Sequence, residues 1–312
     1  MDTLTHGLVG ALVAQAGFRQ RIGPAASWAI TGGAVLPDID FAMHLFDDFA
    51  SLRYHRVLTH SLLGALLFAL PLAAIWAIRW PSKRYGVLVG LSALGILLHI
   101  VTDVITPYGT VVLYPFSRTR FALDWVFILD GAFTGILLTS LLLGWRRKAC
   151  GCFVARLGLG VLVLYISATG FAHSRALERL EQAAAQRHLT PVQMAAFPHP
   201  PSLFSWMGIL ETEDAFYEGH INLLSRQGIS LQPFPKLVND SVVEHLRAHE
   251  EVSLFLWFAR FPWATYQPSP EGSVIEFIDL RFHTRVLRNP FRLQILLNDH
   301  GGVKRIGFNR RS

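Results

Sequence analysis

Long apolar runs separated by short polar breaks dominate the first half of the chain. Its buried-type positions are interrupted by ionisable residues mainly near the ends of those runs. Ser61–Ile78 is uncharged, and Tyr85–Ile105 carries only His99 and Asp103 as ionisable residues, both near its end. Each approaches the roughly 20 apolar residues that a bilayer-crossing helix needs. Val126–Trp145, interrupted by Asp130 near its start, and Leu157–Ala172, lengthened if Arg156 snorkels to the headgroups, bring the expected full spans to four. Leu4–Ala16 and Ala25–Leu36 are apolar but too short to span, and their glycines lower helix preference, so they are expected as short helices packed on the bundle. A cleaved leader is not expected, because Asp2 precedes the first run and Arg19 and Arg21 follow it.

The pattern changes after Ala172. Ser174–His188 is polar and helix-like, and Phe197-Pro198-His199-Pro200-Pro201 breaks any helix. Ser253–Ala259, Ser273–Phe282, Arg292–Leu297 and Val303–Phe308 are rich in Val, Ile, Phe and Trp and bounded by turn formers, which predicts strands of a small antiparallel sheet. The expected fold is therefore mainly α: a polytopic helical membrane domain over 1–173 and an extracytoplasmic α+β domain over 174–312.

Composition agrees with a membrane protein: 52% of residues are hydrophobic and only 16% charged. The net charge of +6 raises nucleic acid as a partner, and the location of the basic residues argues against it. Arg19 and Arg21, then Arg79, Lys83 and Arg84, then Arg146, Arg147 and Lys148 occupy alternate breaks. The breaks between them hold Arg53, Arg56, Arg118 and Arg120. By the positive-inside rule the richer set faces the cytoplasm. The charge then reports topology, and no basic patch with interleaved aromatics accompanies it. Cys150 and Cys152 stand beside the basic break and imply neither a disulfide framework nor a zinc knuckle.

Drawn from Lys and Arg alone, this topology puts His6, Asp38, Asp40, His55, His60, His99 and Asp103 in one layer on the non-cytoplasmic side. Ionisable groups beside lipid are costly without a shared partner, and a divalent metal suits imidazole and carboxylate together. His99 and Asp103, four apart in a helical run, share one face; the alternative is a His–Asp hydrogen bond between helices. Pro37 stops the second run before Asp38-Ile39-Asp40, where one aspartate would suffice as a helix cap. His55-Arg56-x-x-Thr59-His60-Ser61 places two imidazoles before a span that Thr59 or Ser61 can cap, and Arg56 suits an anionic substrate group. His6 taken alone is an ordinary buried histidine. Asp124 and Asp130 bracket the third span on the same side. The chain has no Gly-x-Ser-x-Gly elbow, P-loop or Rossmann glycine pattern, so serine-hydrolase and nucleotide-binding classes lose ground.

Thr5-His6-Gly7, Pro37-Asp38-Ile39-Asp40, His55-Arg56-Val57-Leu58-Thr59-His60-Ser61, His99-x-x-x-Asp103 and Pro107-Tyr108-Gly109 together resemble the bacterial LexA-regulated, membrane-bound metal-dependent hydrolases, the YdjM-like inner-membrane proteins. The resemblance covers about the first 170 residues. It implies a multi-pass inner-membrane protein with His6, Asp38, Asp40, His55, His60, His99 and Asp103 as its polar core. The reading is a hydrolase holding one or two divalent ions, zinc by the mixed ligand set and manganese or iron as alternatives. Asp40 or Asp103 would accept a proton and Arg56 would hold the developing anion. Position at the membrane boundary suggests a lipid or lipid-linked phosphoester, with a peptide or carboxylic ester chemically equal. The alternative is a non-catalytic metal-binding transporter or structural scaffold.

Overall fold

A computed structural model describes every residue except 46–48, 201–202, 237–239, 271, 284–290, 299 and 309–312. The described residues form two compact units. Met1–Met43, Tyr54–His173 and Pro198–Leu203 make the first; His44–Arg53, Ser174–Phe197 and Phe204–Ser312 make the second.

In the first unit, α1 (Thr3–Val13) starts at Asp2, whose carboxylate accepts from the Thr5 amide. A π-turn over Ala14–Phe18 leads into α2 (Arg19–Ile22), and α3 (Pro24–Val35) runs back and continues as a 3-10 segment, Leu36–Leu45. α5 (Leu62–Arg79) and α6 (Tyr85–Val104) follow, while α4 (Ala50–Arg53), which precedes them in the chain, belongs to the second unit. The Ser61 hydroxyl caps α5 by accepting from the Gly64 amide, as the helix-start pattern predicts. α7 (Gly131–Arg146) and α8 (Gly151–Gln186) complete the helices of this unit, α8 to His173.

Three helices, α5, α6 and α8, are long and apolar enough to cross a membrane, while α7 is shorter. The expected third span from Val126 is thus corrected: Val126–Asp130 is not helical, because Asp130 caps α7 by accepting from the Phe133 amide. The glycines of the short N-terminal runs serve close packing. A Cβ on Gly33 would lie 2.3 Å from the Ser92 carbonyl oxygen, and one on Gly95 2.1 Å from that of Ile30. These contacts bring α3 and α6 backbone to backbone, the small-residue packing that membrane helices use. Since α5 and α6 run antiparallel and α1 and α3 do the same, Arg19, Arg21, Arg79, Lys83 and Arg84 share one end of the bundle.

The second unit holds two four-stranded sheets rather than one. β1 (Gln193–His199), β2 (Ser205–Glu211), β3 (Ala215–Asn222) and β4 (Leu231–Pro235) pair in sequence order. Next come α9 (Asp240–Leu246) and α10 (Glu250–Phe258), then β5 (Pro262–Ser269), β6 (Gly272–Asp279), β7 (Arg292–Leu297) and β8 (Val303–Phe308), again in sequence order. Pro198 is tolerated inside β1 because that strand lies at the sheet's edge. The expected strand Ser253–Ala259 is the helix α10. Val252, Phe255 and Phe258 are buried at three-residue spacing, and Glu250 and Glu251 complement the helix N-terminus. Ala195, Phe197, Ile209, Phe216, Phe234, Phe261 and Leu280 form one core in this unit.

Candidate metal centre

Four segments of the first unit converge at the end of the bundle opposite Arg19 and Arg79. α1 supplies His6, the 3-10 segment Asp38 and Asp40, the stretch before α5 His55, Arg56 and His60, and the end of α6 His99 and Asp103. His6, His60, His99 and Asp103 are buried almost completely.

Each histidine is anchored through Nδ1. The His99 Nδ1–H donates to the Ala34 carbonyl oxygen at 2.7 Å. The His55 Nδ1–H donates to Asp40 Oδ1 at 2.7 Å. The Thr59 hydroxyl gives its hydrogen to Asp40 Oδ2 at 2.6 Å, so its oxygen accepts from His60 Nδ1 at 2.9 Å, with Asp40 Oδ2 also 3.3 Å from that nitrogen. The Thr102 hydroxyl donates to the Leu98 carbonyl at 2.8 Å, so its oxygen accepts from His6 Nδ1 at 3.0 Å. A neutral imidazole carries one N–H. Anchoring the hydrogen on Nδ1 leaves a lone pair on Nε2 in all four rings, the arrangement that partners of metal-binding histidines impose.

Two of those Nε2 atoms meet. His60 Nε2 and His99 Nε2 are 2.9 Å apart. Asp103 Oδ2 lies 3.3 Å from the first and 3.4 Å from the second. Asp38 Oδ1 lies 3.7 and 3.5 Å from the same two nitrogens. Metal–ligand bonds of about 2.1 Å place neighbouring ligand atoms about 3.0–3.4 Å apart in octahedral or tetrahedral geometry. Asp103 Oδ1 is engaged by Arg56 Nη2 at 2.7 Å and by the Met1 amino group, while Oδ2 has no hydrogen-bond partner. His6 Nε2, 3.2 Å from Asp103 Oδ1, likewise has none. The cluster therefore fits a divalent cation: its buried lone pairs face one another and only a positive charge satisfies them together.

Three overlapping groups offer ligand atoms within 4.8 Å of one another: His6, Asp38 and His99; Asp38, His55 and His60; and His60, His99 and Asp103. Asp40 is in none of these groups. It stands behind two rings, accepting from His55, His60, Thr59 and the Arg56 amide. Arg56 points its guanidinium at Asp103 and, at 3.1 Å, the Thr106 hydroxyl, and stacks 4.6 Å from the centre of the Tyr108 ring. Its backbone is left-handed, φ 62°, a conformation of non-glycine residues found at sites that need one side chain in one place. Asp124 and Asp130 belong to no ligand group among the described residues; Asp130 caps α7 and accepts from the Tyr165 hydroxyl at 2.9 Å.

The charges reinforce this arrangement. Burial opposes ionisation of Asp40, but hydrogen bonds from His55 and His60 outweigh it and hold the carboxyl well below the usual range. Burial likewise opposes ionisation of Asp38, and His60, His99 and Thr3 outweigh it in the same direction. Burial disfavours a charged His60, yet Asp103, Asp38 and Asp40 raise it to about 10. In the metal-free protein a proton thus fills part of the demand for positive charge.

Thr59, Thr102, Tyr108 and the Ala34 carbonyl are contributors that residue-type patterns do not single out. Thr59 and Tyr108 stand inside the quoted motifs, and Thr102 adjoins Asp103. The Ala34 carbonyl leaves no trace in a sequence.

Helices able to cross a bilayer and a buried His/Asp cluster able to hold a cation define the class: an integral membrane protein with a candidate metal centre. Residues 1–176 match the YdjM inner membrane protein family, and the chain belongs to that family. It is also similar to the Uncharacterized protein YfhP of Bacillus subtilis (strain 168), with 26% identity across 91% of this chain and 88% of that protein. No solved structure matches the chain.

Proposed function

We propose that the chain is a metal-dependent hydrolase of the inner membrane, acting on an ester or phosphoester of a lipid or lipid-linked molecule. The observation that carries this reading is the facing of His60 Nε2 and His99 Nε2 with Asp38 and Asp103 beside them, and with His6 and His55 in the adjoining ligand groups. When bound, a divalent cation, zinc by preference of the mixed ligand set, supplies a water acidic enough to attack near neutral pH and a charge that polarises the scissile group. His60, His99 and Asp103 would hold the ion. Asp38 and His55, whose side chains retain 11% and 12% exposure, flank the side from which substrate enters. Asp40 keeps His55 and His60 in the metal-binding tautomer, and Arg56 fixes Asp103.

The lipid substrate class rests on the rim. Ile39 and Phe41, beside the two aspartates, are 63% and 59% exposed, and Phe116 at the same end of the bundle is 90% exposed. Large apolar side chains around a polar site suit an amphiphile reaching it from the membrane boundary. The basic residues at the opposite end support a non-cytoplasmic site. Transport is the weaker reading. Ala26, Ala29, Ile30 and Leu91, with Ala25, Ala73 and Leu88, fill the bundle between the site and its basic end, whereas transport calls for polar groups continuing across.

The test is elemental analysis of detergent-purified protein beside a His55→Ala, His60→Ala double variant, followed by hydrolysis assays on phospholipid vesicles. Stoichiometric zinc or manganese, lost in the variant together with release of a lipid-derived product, supports the proposal. Absence of metal after reconstitution overturns the metal centre, and metal without turnover of any ester supports a structural role.

A further inference from the structure

A second feature lies at the basic end of the same unit. The π-turn at Ala14–Phe18 kinks the first helix, and Gly17 there has φ 159°. Beside it, α1, α3 and α7 leave a cleft of about 730 Å³. Its walls over the length of the helices are apolar, with Leu8, Ala11, Leu138 and Leu141 facing one another. Its mouth is polar: Gln15, Gln20 and Arg19 gather there, beside Trp145. Leu8 to Arg19 spans about 16 Å at helical rise, so the cleft runs from the basic end well into the apolar depth of the bundle.

Two details shape the mouth. Glycines let the Gln15 amide lie across it: a Cβ on Gly144 would come 2.4 Å from Gln15 Nε2, and one on Gly151 3.3 Å from the same atom. The kink also turns the freed Ala16 carbonyl away, to accept from Arg156 Nε at 2.8 Å and from the Cys152 thiol. Arg19 is exposed, and no carboxylate among the described residues pairs with it. Trp145, 69% exposed, marks headgroup depth, where tryptophan concentrates.

We propose that this cleft binds one anionic phospholipid, its acyl chain along Leu8, Leu138 and Leu141 and its phosphate on Arg19, with Gln15 and Gln20 donating to the headgroup. Apolar walls alone would accept any lipid. The unpaired arginine at the mouth selects a net negative headgroup, because a zwitterionic one carries its own compensating cation. The site is separate from the His/Asp cluster and does not depend on the hydrolase reading.

The experiment is native mass spectrometry of delipidated protein titrated with dioleoylphosphatidylglycerol or dioleoylphosphatidylcholine. Wild type should retain one phosphatidylglycerol per chain with about fivefold preference over phosphatidylcholine, the factor that one basic side chain near an anionic headgroup supplies. Arg19→Gln should remove that preference, and Ala11→Phe, which fills the cleft, should lower retention of both lipids. Arg147→Gln, equally basic and at the same end but outside the cleft, should keep the wild-type preference. Equal retention of the two lipids by wild type overturns the proposal. So does an Arg147→Gln loss as large as that of Arg19→Gln, which would make the effect one of general surface charge. Unchanged circular dichroism and thermal midpoint in each variant establish that the fold is intact.

Discussion

His60 Nε2 and His99 Nε2 lie 2.9 Å apart, each on a ring whose hydrogen is held at the far nitrogen. Two facing lone pairs repel unless a shared proton or a metal cation lies between them. Asp103 Oδ2, without a hydrogen bond of its own, adds a third donor 3.3 and 3.4 Å away. His60→Ala, His99→Ala and Asp103→Ala should each abolish stoichiometric metal binding, measured by elemental analysis after dialysis against excess zinc. Full metal content in any one of them would remove that residue from the ligand set.

Asp40 calls for a different outcome, since it touches two histidines from behind. Loss of a carboxylate that orients a metal-bound imidazole typically lowers metal affinity 10–100-fold. Asp40→Asn should therefore bind metal to the same stoichiometry with an affinity reduced by about that factor in a competitive chelator titration. Complete loss at saturating metal would make Asp40 a ligand instead.

Arg56 is a third case. Its guanidinium and Asp103 are both buried, and removing one member of a buried pair typically costs about 3–5 kcal/mol because the other charge stays unpaired. Arg56→Met should lower the thermal midpoint in detergent whether or not metal is present. His99→Ala, by contrast, should lower it mainly against metal-loaded wild type. A thermal midpoint for Arg56→Met equal to wild type in the metal-free state would show that the pair contributes nothing to the fold.

Much of this arrangement is legible in the sequence because membrane burial is costly for ionisable groups. His99 and Asp103 inside an apolar run, and Asp38 and Asp40 at the end of another, have few reasons to be there without a partner. The extents of α5 and α6 are legible from the same apolar runs. Val126–Asp130 misleads because its apolar side chains fit a helix while Asp130, as a cap, decides where the helix starts. In the second unit the strands β1–β4 go unread, since Pro198 and Gly208 interrupt runs whose burial comes from neighbours distant in sequence. Gly208 is needed there because Leu180 of α8 packs within 2.9 Å of where its Cβ would lie. α10 is misread because Ser253–Ala259 has strand composition, whereas its burial follows a three-residue period set by the core it faces.

The helix packing that escapes residue-type patterns also reaches the metal centre. Gly95 lies against the Ile30 carbonyl, and four residues further along each helix His99 Nδ1 bonds the Ala34 carbonyl. The same α3 leads directly into the segment carrying Asp38. A methyl group at Gly95 would come within 2.1 Å of the Ile30 oxygen, contact with backbone that a rotamer change cannot relieve. The helices must separate, and overpacking of this kind typically costs about 1–3 kcal/mol. Separation also draws Ala34 from His99, freeing that ring to rotate and moving Asp38 from both nitrogens. Gly95→Ala should thus lower thermal stability and weaken metal binding although no ligand is changed. Gly90→Ala on the same helix, where the added Cβ meets nothing within 4 Å, should leave both unchanged. Parallel metal titrations of the two variants decide the point, and equal affinities would uncouple the α3–α6 contact from the site.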